Sequence, residues 1–279
     1  MPTSVRGAGR VPHETSLRLE GVTRRFHRAA GGVVDAVSAV DLVIEPHEFV
    51  CLVGPSGCGK STLLQLASGL LSCTEGRVLL GETPVTGPTS ELGLVFQRDS
   101  VFPWMRVIDN VTYGLKCRGT GKRERLEIAR SFLREVGLGH VERSWPRELS
   151  GGMLKRVAVA TVFANSPDVL LLDEPFGALD YVTKLQLHQV LLQLWVETRP
   201  TVLFVTHDVD EALMLADRIL VMKDGAIVDA RSIGVARPRT VESLQTPEIT
   251  EHKAALLEHL GLEELVQHRP HAVAGGARS

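Results

Sequence analysis

Apolar residues along this chain follow two recurring patterns. Short runs that are apolar throughout predict strands buried on both faces of a parallel sheet. Four such runs lie at residues 49–53, 92–96, 169–172 and 202–205. Between the runs, apolar residues three or four positions apart predict amphipathic helices, as at 126–136 and 187–194. Strands and helices that alternate in this way predict a doubly wound α/β fold.

Two other stretches depart from this alternation. Apolar and polar residues alternate at 17–20, and short apolar groups continue through 34–44, which predicts half-exposed antiparallel strands. Residues 98–148 contain no convincing strand, and Pro and Gly residues divide them into helical segments. We therefore expect an antiparallel β subdomain and a helical insertion, the latter at about residues 98–160.

Turn and helix-start signals mark the last third of the chain. The dipeptide Asp224-Gly225 separates two apolar runs and predicts a β-hairpin. Thr246-Pro247-Glu248 predicts the start of a short helix. We expect three regions, namely a loose N-terminal tail at 1–16, one main domain at 17–230 and a partly helical C-terminal extension at 231–279.

A glycine-rich segment follows the first apolar run. Its nine residues match a phosphate-binding loop: Gly54, Pro55, Ser56, Gly57, Cys58, Gly59, Lys60, Ser61 and Thr62. Glycines let successive backbone N–H groups point inward, and the helix expected at 61–71 adds the positive end of its dipole. A di- or triphosphate fits such a loop, with Lys60 neutralising the outer phosphates and the Ser61 hydroxyl on a bridging Mg²⁺.

Two adjacent carboxylates, Asp173 and Glu174, follow the apolar run at 169–172. Sheets in α/β proteins present ligands at the carboxyl ends of their strands. We expect Asp173 to hold the magnesium shell and Glu174 to polarise the water that attacks a γ-phosphate. An acidic strand end in a turn is common by itself, but the phosphate-binding loop in the same chain favours the catalytic interpretation.

A second anion site is expected where a short motif precedes a helix. The motif consists of Leu149, Ser150, Gly151, Gly152 and Met153. A serine hydroxyl, glycine amides and a helix N-terminus can all face an anion. One chain does not need two such sites for one triphosphate. Two chains that face head to tail do, because each can close over the nucleotide held by the other.

These motifs, in this order, resemble the ATP-binding subunits of ATP-binding-cassette (ABC) transporters over residues 17–228. The resemblance implies a P-loop NTPase core that binds ATP and Mg²⁺ between two copies of the chain. It implies that Gln97 reaches the magnesium and the attacking water, that His207 contacts the γ-phosphate, and that a segment ending in Asp180 crosses to the partner. Phe26 stands where the family stacks an aromatic ring on adenine, and the alternative is a core phenylalanine.

The resemblance also implies separate transmembrane permease subunits, which this family docks on the helical insertion. Phe102, Pro103 and Trp104 lie in the docking region and suit either a groove of that partner or packing inside the insertion. The sequence around residues 95–110 is similar to importers of nitrate, aliphatic sulfonates and taurine, which implies a solute-binding protein as an indirect partner. An exporter, a lipid-transport ATPase or a non-transport ATPase of the same superfamily is the alternative.

The helix after the second anion site departs from the family pattern. Leu154 and Lys155 stand where the family usually has Arg and Gln, and Thr161 stands where it has Arg. We expect Thr161 to alter a polar contact between this helix and the core. We expect it to change the rate of ATP hydrolysis rather than to abolish hydrolysis.

Composition excludes several other roles. Lys and Arg number 31 against 33 Asp and Glu, so no nucleic-acid partner is expected. No run approaches the roughly 18 to 20 apolar residues of a membrane span, so no membrane-spanning segment is expected. The family resemblance then implies a peripheral protein on the cytoplasmic face of the cell membrane. Four cysteines without paired spacing predict reduced thiols, and Cys58, near Lys60 and a helix N-terminus, is expected to favour the thiolate.

Overall fold

The computed structural model describes residues 14–27, 31–97, 100–177 and 179–261. Its strands are β1 (Leu17–His27), β2 (Val33–Ile44), β3 (Phe49–Val53), β4 (Glu75–Leu80), β5 (Thr83–Pro84), β6 (Leu92–Val95), β7 (Val169–Asp173), β8 (Thr201–Val205), β9 (Arg218–Lys223) and β10 (Ala226–Ser232). Its α-helices are α1 (Lys60–Ala67), α2 (Val107–Cys117), α3 (Lys122–Glu135), α4 (Gly151–Ala164), α5 (Tyr181–Thr198), α6 (Val209–Leu215) and α7 (Pro247–His259). Most of the expected N-terminal tail and residues 262–279 of the expected extension lie outside the described residues.

A six-stranded sheet forms the centre of the protein, in the order β10-β9-β3-β8-β7-β6. Within it, β3 pairs in parallel with β8, β8 with β7, and β7 with β6. Every residue of β3, β7 and β8 is buried. Alternate residues of β3 join two different cores, Phe49 and Cys51 on one face and Val50 and Leu52 on the other. The prediction of buried parallel strands is confirmed for these three runs.

The fourth apolar run, β6, differs from the prediction. In the part of the chain that the structure describes, β6 is the last strand of the sheet and pairs with β7 alone. Leu92, Gly93 and Leu94 are consequently half-buried, and Phe96 lies beyond the strand and is exposed. The sequence could not distinguish this edge strand from an inner strand, because a short apolar run is compatible with both.

The predicted hairpin is formed by β9 and β10, which pair antiparallel. Its two turn residues, Asp224 and Gly225, have φ angles of 48° and 84°. Positive φ at both central residues is the conformation that matches the twist of a two-residue hairpin.

The second sheet is antiparallel, in the order β2-β1-β4-β5. Leu17 of β1 lies opposite Ile44 of β2 and Leu80 of β4. The buried side chains of this sheet pack with Leu63 and Leu64 of α1 in one apolar core. The antiparallel strands expected at 17–20 and 34–44 are confirmed.

The first helix is shorter than predicted. It was expected to reach residue 71, but α1 ends at Ala67. Gly69 has a φ angle of 72°, and a Cβ atom there would lie 2.6 Å from the carbonyl oxygen of Gly87. Gly69 ends the helix in a left-handed C-cap in which its N–H donates to the Leu66 carbonyl at 3.1 Å, a local stop signal that apolar periodicity alone does not contain.

Helices α2, α3 and α4 form the helical insertion, and no strand occurs among described residues 100–164. Val111, Phe132, Leu133 and Val157 are buried in the core that these helices share. α4 runs to Ala164, a few residues past the expected boundary. Among the helices that the structure describes, none is long and apolar enough to cross a membrane.

The segment after β10 packs against α6. Ile249 and Leu256 of α7 are buried, and Thr246 precedes Pro247 at the helix start as the sequence predicts. Arg239 is 4% exposed and donates to four carbonyl oxygens. The acceptors are those of Leu213, Ala216, Ile233 and Val235. Burial lowers the pKa of Arg239 to about 10, so its guanidinium is still charged at neutral pH.

Replacing Arg239 should destabilise the fold. In Arg239→Met the four carbonyl oxygens lose their shared donor, and buried acceptors without partners cost on the order of 2 to 4 kcal/mol together. Urea unfolding followed by circular dichroism should show a lower midpoint. Arg231→Met is the matched control, because the Arg231–Asp229 ion pair is partly exposed and should contribute less than about 1 kcal/mol. Equal urea midpoints for the two variants would show that the hydrogen bonds of Arg239 do not stabilise the fold.

Candidate nucleotide site

The predicted phosphate loop connects β3 to α1. Gly57 and Gly59 have φ angles of 81° and 109°, which favour glycine. A Cβ atom at Gly59 would lie 2.2 Å from the carbonyl oxygen of Ala36, and one at Gly54 would lie 2.3 Å from that of Met222. The glycines are thus required both by the turn of the loop and by its packing against β2 and β9.

Lys60 begins α1 and is 6% exposed. Its Nζ donates to the carbonyl oxygens of Gly54 at 2.8 Å and Pro55 at 2.9 Å, and lies 4.0 Å from Cys58 Sγ. The ammonium is therefore held against the loop, and the Cys58 thiol is buried beneath it. In the rest of the loop, Pro55, Ser56, Gly57 and Ser61 are exposed and Thr62 is half-buried.

Ser61 and Asp173 meet where the loop faces the end of β7. The Ser61 hydroxyl donates to Asp173 Oδ1 at 3.1 Å. Burial raises the pKa of Asp173, and the hydrogen bond from Ser61 offsets part of this rise. No cluster of three or more His, Cys, Asp or Glu side chains able to hold a metal ion occurs among the described residues. A hydroxyl and one carboxylate fit Mg²⁺, which usually keeps water and phosphate oxygens as its other ligands.

Two polar side chains meet at one oxygen atom of Glu174. Its Oε2 accepts a hydrogen bond from Gln97 Nε2 at 3.0 Å and lies 3.1 Å from His207 Nδ1. The Glu174 side chain is 20% exposed and that of His207 is 59% exposed, so solvent reaches this oxygen. The structure thus brings together three residues that follow three different strands in the sequence.

The predicted second anion site forms the N-terminus of α4. Ser150 Oγ accepts from the Met153 backbone N–H at 3.3 Å, and both Ser150 and Gly151 are exposed. A Cβ atom at Gly152 would lie 2.7 Å from Thr183 Cγ2, so α4 and α5 pack closely there. Within the described residues, no hydrogen bond joins this segment to the phosphate loop of its own chain.

Asp180 lies beside that segment as the N-cap of α5. Its Oδ1 accepts from the Thr183 backbone N–H at 3.0 Å, and hydrogen bonds from Thr183 lower the pKa of Asp180. Asp180 is exposed, and Ala178 of the same segment lies outside the described residues. Asp180 and Ser150 therefore share one exposed edge where two helices begin.

Phe26 is 39% exposed and is not part of the apolar core. The guanidinium carbon of Arg24 lies 4.8 Å from the centroid of its ring. Phe26 pairs with Val34, two residues before the Ala36 carbonyl that contacts the phosphate loop. The ring is thus accessible on the strand pair that borders this loop.

The structure adds one contact that the sequence analysis missed. The Lys155 ammonium donates to the backbone carbonyl of Gln97 at 2.5 Å. The only signal in the sequence was that Lys155 departs from the family pattern, and the pattern does not say what a lysine there would contact. This hydrogen bond joins α4 to the loop that carries Gln97.

Comparisons with known proteins identify the family. A sequence model of the family described as ABC transporter matches residues 37–177. A nitrate import ATP-binding protein of Synechocystis is 44% identical over 227 residues, which are 81% of this chain and 85% of that protein. An aliphatic sulfonates import ATP-binding protein of Pseudomonas fluorescens is 44% identical over 253 residues, which are 91% of each protein.

A solved structure agrees with these relatives. It is a dimeric ATP-binding cassette in a post-hydrolysis state with ADP and Pi bound, and it is 30% identical. The match has a TM-score of 0.70 and covers 79% of this chain and 100% of that one. The predicted α/β P-loop fold and the resemblance seen in the sequence are both confirmed. The chain therefore belongs to the ABC transporter family of ATPases.

Proposed function

We propose that this chain is the ATP-hydrolysing subunit of an ABC importer for nitrate, an aliphatic sulfonate, taurine or a related small solute. It works as a head-to-tail pair bound to permease subunits at the cytoplasmic face of the membrane, and a solute-binding protein delivers the solute. The names of the nitrate and sulfonate relatives support the solute class. The dimeric solved cassette supports the pairing.

The observation that carries the proposal is the meeting of Gln97 and His207 at Glu174 Oε2. A general base must lie within hydrogen-bond reach of the water that it activates, and neighbouring groups must hold it in place. Glu174 is partly exposed, so water can reach its carboxylate. Gln97 and His207 both hold the same oxygen of this carboxylate.

The residues of the phosphate loop, with Asp173, bind the phosphates of ATP and the magnesium ion. Lys60 neutralises the outer phosphates of ATP, and the backbone N–H groups at the start of α1 bind their oxygens. Ser61 and Asp173 hold Mg²⁺, which neutralises charge on the transferred phosphoryl group. Glu174 then accepts the proton of the attacking water, while His207 contacts the γ-phosphate.

The exposed helix starts support a shared nucleotide. Ser150 and Gly151 at the start of α4, and Asp180 at the start of α5, are exposed at neighbouring positions. The N–H groups at the start of α4, together with the Ser150 hydroxyl, suit an anion. In the proposed pair, each exposed edge closes over the ATP in the phosphate loop of the other copy.

An aromatic cluster on the helical insertion supports permease docking. Trp104 is 67% exposed, so its ring is not packed inside the insertion. The ring centroid of Phe102 lies 5.4 Å from that of Trp104 and 5.1 Å from that of Tyr113. The buried Asn110 holds this loop by accepting from the Phe102 N–H at 2.7 Å and by donating to backbone carbonyls. The cluster borders a groove of about 330 Å³ that suits a short amphipathic segment of the permease.

Replacing Glu174 tests the catalytic assignment. Glu174→Gln keeps the shape of the side chain but removes the base, so phosphate release should fall by about 100-fold or more. ATP binding should persist, and an ATP-bound dimer should accumulate in size-exclusion chromatography. Glu251→Gln, on the exposed face of α7, is the control and should hydrolyse ATP like the wild type. Phosphate release by Glu174→Gln within about two-fold of the wild type would remove Glu174 from this role.

Replacing Phe26 tests the adenine contact. Loss of a stacked ring costs on the order of 1 kcal/mol, so Phe26→Ala should weaken ATP binding roughly five-fold in equilibrium dialysis. Dimer formation at saturating ATP should be unchanged. Val33→Ala removes an exposed apolar side chain from the neighbouring strand and should leave ATP affinity as it was. Equal ATP affinity in Phe26→Ala and the wild type would rule the stacking out.

Replacing Trp104 tests the docking surface. Trp104→Ala should cost about 2 kcal/mol or more of permease affinity, because exposed tryptophans at interface centres are hot spots. The measurement is the amount of transmembrane subunit that copurifies with the tagged chain from its own membranes. Leu70 is an exposed apolar residue in the turn after α1, and Leu70→Ala is the control and should copurify normally. Undiminished copurification with Trp104→Ala would place the docking surface elsewhere.

A further inference from the structure

A buried polar cluster lies behind the catalytic carboxylate. It consists of His188 on α5, Glu211 on α6 and Thr206 in the loop after β8, and these residues are 2%, 4% and 2% exposed. Neither the sequence motifs nor the proposed reaction uses any of them. Ionisable side chains are rarely buried this deeply unless they are paired, so the cluster calls for a physical explanation.

Glu211 connects the cluster to the backbone on both sides of His207. Its Oε2 accepts from the Thr206 hydroxyl, and its Oε1 lies 2.7 Å from His188 Nε2. The Thr206 hydroxyl oxygen in turn accepts from the Asp208 backbone N–H at 3.0 Å. Thr206 and Asp208 are the two neighbours of His207 in the chain. The Glu211 carboxylate therefore fixes the loop from which the His207 side chain projects.

Helix α5 reaches the same loop at a second point. Lys184, one turn before His188, donates to Asp208 Oδ2 at 2.9 Å. Asp208 also caps α6, since its Oδ1 accepts from the backbone N–H groups of Asp210 and Glu211. Two residues spaced four apart on α5 thus hold Asp208 and Glu211, both of which lie in the segment 206–211.

His188 also touches the loop that carries Glu174. Its ring centroid lies 5.5 Å from that of Phe176, which is buried two residues after Glu174. Within the described residues, His188 Nδ1 has no hydrogen-bond partner. Burying an unpaired polar atom costs free energy, so stability alone does not account for a histidine here. Its position does, because one ring contacts Phe176 in the loop that carries Glu174 and also Glu211, which is hydrogen-bonded to Thr206 in the His207 loop.

We propose that His188 and Glu211 are positioning residues that set the distance between His207 and Glu174. The proposal rests on the proposed roles of those two residues in hydrolysis. α5 begins at Asp180, on the edge that faces the partner in the proposed pair, so a shift of α5 on dimer closure moves both loops together. Neither His188 nor Glu211 touches ATP.

The test is a double-mutant cycle between His188 and His207. His188→Leu removes the hydrogen bond to Glu211, so it should lower kcat about ten-fold and leave the ATP dissociation constant within about two-fold. If His188 acts through His207, His188→Leu/His207→Ala should be no slower than His207→Ala alone. His188→Gln keeps an N–H donor and should regain most of the lost kcat. All kinetics are measured well below the melting temperature of each variant.

Leu191→Ala is the matched control for a merely structural role. Leu191 is buried on α5 one turn after His188 and makes only apolar contacts, so this variant should melt at a lower temperature with kcat unchanged. A loss of kcat by Leu191→Ala equal to that by His188→Leu would overturn the proposal.

The outcomes separate the two proposals. Suppose that His207→Ala slows hydrolysis, and that adding His188→Leu to His207→Ala lowers kcat by the same factor as His188→Leu does in the wild type. The positioning role is then wrong and the proposed function stands. If His207→Ala and Glu174→Gln both retain wild-type kcat, the proposed function itself is wrong. Non-additive losses with rescue by His188→Gln support the positioning role.

Discussion

Parallel pairing of β3, β8, β7 and β6 is the constraint on which the site depends. Because these strands run in one direction, their carboxyl ends lie at one edge of the sheet. Gln97, Glu174 and His207 each follow one of these ends. A register shift of one residue would displace a strand end by about 3.3 Å and turn its buried side chains to the other face of the sheet. The hydrogen bond between Gln97 and Glu174 would then be broken. The apolar side chains that fix the register of the sheet thereby also fix the positions of Gln97, Glu174 and His207.

Much of this arrangement could be predicted because it is encoded locally. The phosphate loop, the carboxylates at Asp173 and Glu174, and the β9–β10 turn each depend on residue types within about ten positions. The sequence could not reveal features that depend on distant partners. β6 is an edge strand because, among the described residues, it pairs with β7 alone, and nothing within its own apolar run signals this. The pairing of His188 with Glu211 is a further example, since two residues on separate helices form no motif.

The backbone at Glu174 shows how the site combines constraint with access. Its φ angle of 41° lies in the left-handed region, which costs about 1 kcal/mol for a residue with a Cβ atom. Two backbone hydrogen bonds hold this conformation, from Glu174 N–H to the Val205 carbonyl at 2.9 Å and from Gly177 N–H to the Glu174 carbonyl at 3.1 Å. Asp173 belongs to the strand and is buried, whereas Glu174 turns away from the strand direction and remains reachable by water. Adjacent carboxylates thus have different surroundings, which is what separate metal-binding and proton-accepting roles require.

The short helix α6 connects the sheet edge that carries His207 to the segment after β10. A helix of seven residues is unstable by itself, so its position depends on what holds its two ends. Asp208 caps its first N–H groups beside His207, and Arg237 and Arg239 bind its last carbonyl groups. The guanidinium of Arg237 also lies 4.7 Å from the centroid of the Trp195 ring near the end of α5. Lys184 of α5 holds Asp208 at the first end of α6, and the segment after β10 holds the last carbonyl groups, so the position of the His207 loop is coupled to both.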